Sequence, residues 1–293
     1  MKNKSTLLSI ISLSILIILL IILMIFLMNK KLNFNFKYAF AQKIEELQID
    51  ETYKNTHEKI NITTEAADIE IKTSENEDIY LKIYSEKNHA KVVNNETELN
   101  IEVDQKECKG LCINRKISKI ELYLPENYDK EINIESKYGD ININAFKNAN
   151  INIKEDAGDI KIEKANKIDI KNDCGDIKIE EIKDAIIKAS AGDIEINKVN
   201  NIEINNNYGD TKINEINEYA KISGDAGDVK IETLNITKDS SIETNVGDIK
   251  INKTNDIYID AETDVGSAKI NNNNNKSEIT LKIKNNVGDI KVN

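Results

Sequence analysis

The chain has 293 residues, a formal net charge of −11, one proline and no tryptophan. An acidic chain disfavours nucleic acid as a partner, because binding to phosphate backbones depends on clustered Lys and Arg. Aromatic residues make up only 5% of the chain, and sugar-binding sites usually need aromatic platforms, so the composition also disfavours that class of protein.

An apolar run of 22 residues extends from Leu7 to Met28 and is interrupted only by serines. This length matches the ~30 Å of hydrocarbon that a transmembrane helix crosses. Lys2 and Lys4 precede the run, which is typical of a signal anchor whose C-terminal part is exported. Ala39-Phe40-Ala41 has the form of a signal-peptidase site but ends thirteen residues beyond the apolar run. We therefore favour an uncleaved anchor over a cleaved signal.

The chain divides into three predicted parts. Residues 1–31 form a short cytoplasmic tip and the transmembrane helix, residues 32–55 a juxtamembrane connector, and residues 56–293 a β-repeat domain. The aromatic residues Phe34, Phe36 and Tyr38 of the connector are suited to the headgroup level of a membrane. The alternative, that this segment is the first strand of the repeat domain, stays open.

From Ile60 onwards apolar and polar residues alternate, as they do in half-buried strands. The stretch from Ala67 to Ile71 resembles the later repeat with alanine in place of glycine, which indicates that the array begins there. Pro125 is predicted to close a strand, because proline cannot donate to the hydrogen-bond ladder of a sheet.

The sequence Gly-Asp-Ile-Lys-Ile begins at Gly158 and again at Gly175, and related versions recur to the C-terminus. Successive repeat glycines stand 17–22 residues apart, and a Gly-Ser variant occurs at Gly266. Glycine at one recurring position indicates a backbone that needs positive φ or the close approach of a neighbouring coil. The repeat glycines that are followed by aspartate are Gly139, Gly158, Gly175, Gly192, Gly209, Gly227, Gly247 and Gly288.

Each repeat contains two short strands whose apolar side chains share one face, such as Ile160 with Ile162 and Ile168 with Ile170. Two such sheets facing each other bury both apolar faces. We predict an all-β fold, a two-sided β-solenoid-like array with 17–20 residues per coil and about 4.8 Å between coils. An antiparallel meander has the same period and stays an alternative. The chain ends inside the strand that follows Gly288, so its last coil is predicted to present an open edge.

The aspartates that follow the glycines form a column about 5 Å apart if the coils stack in register. Lysines such as Lys161 and Lys178 follow two residues later and are expected to neutralise this column, because positions two apart share a face of a strand. We favour a structural role for each aspartate, as a hydrogen-bond acceptor in the turn. Calcium is the alternative ligand, along a cation ladder of Asp159, Asp176, Asp193, Asp210, Asp228 and Asp248.

Catalysis has little support in the sequence. His57 and His89 are expected at the surface, and the acidic residues are spread evenly instead of being clustered. We predict no catalytic residue, no cofactor and no confident metal site. Cys108 and Cys112 are compatible with free thiols, a small disulfide loop or, least well, a metal site. Cys174 is predicted to be a packing residue.

An apolar anchor, alternating strands, a strand that ends Leu122-Tyr-Leu-Pro125 and repeated Gly-Asp-Ile-x-Ile units occur here in this order. Over residues 50–293 this order resembles the bacterial toast-rack, or "putative adhesin", domain family of unknown function. The resemblance implies a β-solenoid-like domain that is often tethered to the membrane of Gram-positive bacteria and is in several cases linked to cell-envelope stress. It implies no catalytic residues.

We therefore expect a single-pass protein of the cell membrane whose repeat domain is extracytoplasmic. Its expected function is that of a non-enzymatic scaffold for a protein or cell-envelope partner, in adhesion or in an envelope stress response. Binding of a cation or a cationic peptide by the aspartate ladder is the alternative function. No nucleic-acid partner is expected.

Overall fold

A computed structural model of the protein describes residues 42–44, 46–104, 116–271 and 273–293. The predicted membrane span, residues 32–41 and 45 of the connector, and both Cys108 and Cys112 lie outside these residues. Within them, every regular element is a β-strand. The same residues contain no helix with the length and apolarity needed to cross a membrane.

The strands are numbered in chain order. The first nine are β1 Gln42–Lys43, β2 Leu47–Tyr53, β3 Lys59–Thr64, β4 Ala67–Ser74, β5 Ile79–Tyr84, β6 Ala90–Asn94, β7 Glu98–Val103, β8 Lys116–Pro125 and β9 Glu131–Tyr138. Five long strands follow, β10 Ile141–Ala157, β11 Ile160–Asn172, β12 Ile177–Ala189, β13 Ile194–Tyr208 and β14 Thr211–Ala226. The last seven are β15 Val229–Leu234, β16 Ser240–Val246, β17 Ile249–Ile251, β18 Tyr258–Val265, β19 Ala268–Ile270, β20 Thr280–Val287 and β21 Ile290–Val292.

Successive coils of the repeat pair in parallel and in register. Ile177 aligns with Ile160 on one side and with Ile194 on the other, in the strand segment that follows the glycine. The segment before the glycine is aligned in the same way, with Ile187 between Ile170 and Ile204. Parallel pairing of consecutive coils defines a β-solenoid, so this fold prediction is confirmed and the antiparallel meander is wrong for the repeat array.

The core is a set of apolar columns that run along the stack. The isoleucines of both strand segments are buried, as the alternation predicts. A further buried column, which we did not predict, lies where one segment bends into the next, so each coil has a packed corner as well as two sides. Its members are aligned in the order Phe146, Ala165, Ile182, Val199, Ile216 and Leu234.

At the N-terminal end the order of coils in space differs from the order in the chain. The coil of β3 and β4 lies between that of β7 and β8 and that of β9 and β10. Three antiparallel strands complete this end, because β5 pairs with β8, β2 with β5, and β6 with β7. β1 and β2 come from the segment predicted as the connector and are strands of the sheet.

The C-terminal end is also reordered. The last coil of the chain, β20 and β21, lies between the coil of β16 and β17 and the coil of β18 and β19. The prediction that the final coil presents the open edge is therefore wrong: the end of the stack is formed by residues 258–270. The long asparagine-rich turn after β19 gives the chain the length to step back over one coil. Within it, Asn273 covers part of the edge, since its side chain accepts from the Ile259 amide at 2.9 Å and donates to the Ile259 carbonyl at 2.8 Å.

Candidate interaction surface

The repeat glycines form one corner of the solenoid, and each lies against the glycine of a neighbouring coil. A Cβ on Gly192 would stand 2.1 Å from the carbonyl oxygen of Gly175, far inside contact distance. Gly175 and Gly192 both have φ +136°, a region that side chains other than glycine rarely adopt. This close approach holds the flanking residues of successive coils in one register.

The aspartates after the glycines tie each coil to the next. The backbone N–H of Asp176 donates to Oδ1 of Asp159 at 2.9 Å, and that of Asp193 donates to Oδ1 of Asp176 at 2.9 Å. The same bond recurs at 2.8–2.9 Å for the backbone N–H groups of Asp210, Asp228, Asp248 and Asp289. Each aspartate thus accepts from the turn of the neighbouring coil, and one oxygen of each ladder carboxylate has a structural role.

The lysines of the repeat do not neutralise this column directly. Lys178 and Lys212 both reach Glu195, at 3.4 and 3.0 Å, and their hydrogen bonds, led by that from Lys212, lower the pKa of Glu195. In the described ranges no ion pair joins a lysine to a repeat aspartate. The expectation is wrong because the lysines pair with glutamates of the strands, while Oδ1 of each aspartate is directed to the backbone N–H of a neighbouring coil.

A groove of about 760 Å³ follows this corner along the C-terminal half of the stack. Its walls carry both signs of charge at regular spacing. The acidic residues are Asp193, Glu195, Asp210, Asp228, Asp248 and Asp289, and the basic residues are Lys212, Lys230, Lys250, Lys269 and Lys291.

An apolar ridge borders the same corner, formed by the residues that precede the glycines. We define the apolar ridge as the aligned column Tyr208, Ala226, Val246, Val287 and Val265. Four of its side chains are large and exposed: Tyr208 is 61%, Val246 50%, Val287 44% and Val265 63% exposed. Tyr208 is exposed because the position before the glycine points away from the core.

An interior polar column lies three residues before the glycines and was missed in the sequence. Asn172 donates through Nδ2 to the carbonyl oxygens of Gly158 and Gly175, at 3.2 and 3.3 Å. Asn206 donates in the same way to Gly192 and Gly209, at 3.1 Å each. The sequence does contain a signal for this column: the alternation of the strand places a polar residue at a position that should face the core.

The remaining candidate residues lie apart from this corner. His57 is 2% exposed, with Nε2 at 2.6 Å from Oδ1 of Asn94, so its predicted surface position is wrong. His89 is partly exposed, and Cys174 is a half-buried free thiol on the column that precedes the glycines. Over the described part of the chain, no three His, Cys, Asp or Glu side chains are grouped so that they could hold a metal ion.

Comparison with known proteins identifies a family. The family model described as Toastrack DUF4097 matches residues 57–185 and 180–293. Among solved structures, a "putative adhesin" of Bacteroides fragilis is 19% identical, with a TM-score of 0.47, and the match covers 86% of this chain and 99% of that one. A "putative cell adhesion protein" of Clostridium sporogenes is 15% identical, with a TM-score of 0.27, over 84% and 99% of the two chains. No curated protein matches.

Proposed function

This chain belongs to the Toastrack family, and from that premise we propose that it is a non-catalytic β-solenoid scaffold that binds a protein partner in the cell envelope. Its apolar N-terminal segment, Leu7–Met28, would anchor it in the cell membrane with the solenoid on the extracytoplasmic side. The partner would dock on the apolar ridge and the groove beside it.

The observation that carries this proposal is the concentration of exposed apolar side chains in one line. Six large apolar side chains are exposed in the described residues, and four of them belong to the apolar ridge. Scattered apolar residues on a surface need no explanation, whereas a contiguous patch marks an interaction site. The ridge also ends at the coil of residues 258–270, beyond which no described strand covers the stack.

The chemistry of the corner fits a polypeptide better than a lipid or a sugar. Valine and tyrosine side chains in a row about 4.8 Å apart match apolar side chains of a partner strand or flat protein face. The groove offers both carboxylates and ammonium groups, which orient a partner that carries both charges. An acidic protein of net charge −11 repels anionic lipid.

Site-specific photo-crosslinking in the native cells tests the surface. A photoreactive residue at Val246 or Val287 of the full chain is expected to give one discrete protein adduct. The matched control is Lys188, which is exposed on a strand elsewhere on the solenoid. Absence of an adduct at both ridge positions, or the same adducts at Lys188, would reject the ridge as the docking surface.

Protease treatment of intact cells tests the topology separately. A protease added outside should digest the repeat domain and leave an N-terminal fragment in the membrane. Protection of residues 56–293 in intact cells, with digestion only after lysis, would place the domain in the cytoplasm and reverse the proposal.

Cation binding along the aspartate ladder is the second candidate function. It is favoured by the fact that, in the described chain, no lysine forms an ion pair with the ladder aspartates. Asp210→Asn keeps an oxygen that accepts the neighbouring backbone N–H but removes the charge. If the ladder binds calcium, millimolar calcium should raise the melting temperature of the full chain, and less so in Asp210→Asn. Without calcium, Asp210→Asn should match or exceed the wild type, whereas Asp210→Ala should lose about 1 kcal/mol with the hydrogen bond. The absence of any calcium effect on the wild type would eliminate this candidate.

A further inference from the structure

Glu155 lies in the interior polar column, at the position where other coils carry a side chain that donates a hydrogen bond. It is aligned with Ser136 on one side and with Asn172 on the other. Its side chain is buried, with the residue 1% exposed, and neither carboxyl oxygen has a hydrogen-bond partner. A buried carboxyl group without a partner needs a proton or a cation, because an isolated charge is very unfavourable in the interior.

The repeat shows what the surroundings of Glu155 require. In the next coil Asn172 donates to two glycine carbonyls, one of its own coil and one of the coil before. By the same register, Glu155 faces the carbonyls of Gly139 and Gly158. A Cβ on Gly158 would lie 2.0 Å from the oxygen of Gly139 and 2.6 Å from Oε1 of Glu155, so carboxyl and carbonyl lie side by side. Carbonyl oxygens only accept hydrogen bonds, and so does an ionised carboxylate.

The donor role is repeated along the column. Asn206 donates to glycine carbonyls in the same way, as does Asn285 to Gly247 at 2.7 Å. At the terminal coil, Thr263 donates through its hydroxyl to Gly288 at 3.0 Å. A protonated carboxyl at Glu155 has a donor of the same kind, whereas an ionised one would face two acceptors.

The charged groups around Glu155 favour the neutral form. Burial raises the pKa of Glu155 to about 9, helped by the negative charges of four aspartates. Asp140 and Asp159 belong to the turns of its own and the preceding coil, Asp156 follows it on the strand, and Asp68 stands at the start of β4. Among the described residues, the one lysine that forms an ion pair with any of these four aspartates is Lys43, which contacts Asp68 at 2.6 Å. On the strands at either side, the aligned residues Ser136 and Asn172 are uncharged.

We propose that Glu155 is a proton-binding site in the folded solenoid, a neutral carboxylic acid that donates its hydrogen to a glycine carbonyl as the asparagines do in other coils. Loss of this proton would place a carboxylate against carbonyl oxygens and four aspartates. The coils around Gly139 and Gly158 would then separate, so the protein carries a local weakness towards alkaline pH.

The direction of the pH dependence follows from linkage. An unfolded chain loses the Glu155 proton at the ordinary pKa of 4.5, while the folded chain keeps it to about 9. Unfolding between these values releases a proton, so rising pH favours the unfolded state. The unfolding constant attributable to this residue should therefore rise by up to tenfold per pH unit in that window.

The test compares the full chain, in a neutral detergent, with Glu155→Gln, whose amide can donate but cannot titrate. Unfolding constants measured from pH 5 to 9 should diverge, with the wild type losing stability relative to the variant as pH rises. Glu163→Gln, at an exposed glutamate, is the control and should leave the difference from wild type independent of pH. A pH-independent gap between Glu155→Gln and wild type would overturn the proposal.

A direct readout on the wild type covers the case in which Glu155→Gln does not fold. In carbon-13 NMR of glutamate carboxyl groups, one resonance should stay at the neutral position at pH 7 and titrate only above it. If all glutamates are ionised at pH 7, the proposal is wrong. If Glu155 is ionised and sodium, potassium or calcium stabilises the wild type at pH 8, a bound cation, and not a proton, occupies this position.

Discussion

Replacing Gly192 by alanine tests the close approach of coils at its most demanding point. The new Cβ would meet the carbonyl oxygen of Gly175 at 2.1 Å, at a residue with φ +136°. The backbone conformation alone costs alanine about 1–3 kcal/mol. To relieve the collision, the two coils must move apart by about 1 Å, which takes a hydrogen bond of ordinary length beyond its useful range.

The displacement weakens backbone hydrogen bonds between neighbouring coils. Gly192 donates to the carbonyl of Tyr208 at 2.9 Å, and Gly175 donates to that of Ala191 at 3.0 Å. With coils packed on both sides, the displacement weakens at least two such bonds, worth about 0.5–1.5 kcal/mol each. The total expected loss for Gly192→Ala is therefore about 2–6 kcal/mol, measured as the free energy of unfolding in urea.

Gly266→Ala is the matched control at the end of the stack. Its φ is +146°, and its Cβ would stand 2.1 Å from the Gly288 oxygen, so the local geometry is the same. Among the described strands, the coil of residues 258–270 pairs on one side only. It can therefore move outward, which leaves mainly the backbone cost of about 1–3 kcal/mol. Equal losses at the two glycines, or a loss below about 1 kcal/mol at Gly192, would refute the argument from close approach.

Two further predictions concern the faces of the strands. Ile177→Asp should destabilise the domain by more than about 4 kcal/mol, since it buries an unpaired charge. Lys178→Asp should change stability by about 1 kcal/mol or less. Equal urea midpoints for the two variants would mean that the inward and outward faces are wrongly assigned. Burial raises the pKa of Glu121, but hydrogen bonds from Lys119 and Lys72 outweigh it and lower that pKa to about 2. Glu121 therefore stabilises the folded state above pH 4.5, and this contribution is lost as pH falls towards 2. Glu121→Gln should cost about 1 kcal/mol at pH 7 and nothing near pH 2, and a loss that is the same at both pH values would contradict this assignment.

The interior of the repeat could be predicted because it depends on local pattern. Alternation identifies Ile160, Ile162, Ile168 and Ile170 as buried, and all of them are buried. The regular spacing of glycine indicates stacking in register. The glycines of this column are in close contact, and all of them except Gly158 have positive φ. The stretch from Ala67 belongs to the array as expected, since β4 pairs with β10, although the coil of β7 and β8 stacks beyond it.

The order of the coils could not be predicted, because any repeat unit can stack on any other with the same strand pattern. Insertion of β20 and β21 between two earlier coils depends on the length of one turn and on which edge is exposed when the chain arrives. The apolar ridge follows from that order, since Val287 aligns between Val246 and Val265. Glu155 was overlooked for another reason: a charged residue in an alternating strand is normally assigned to the solvent face.

Hydrogen exchange of backbone amides tests the stacking order most directly, and the apolar ridge and the open end both depend on that order. The structure predicts slow exchange for residues 281–287 and 290–292, which have paired strands on both sides, although they are the last of the chain. Residues 261–270, at the end of the stack, should exchange faster. Faster exchange at 290–292 than at 268–270 would show that the chain terminus is the outer coil and would contradict the account.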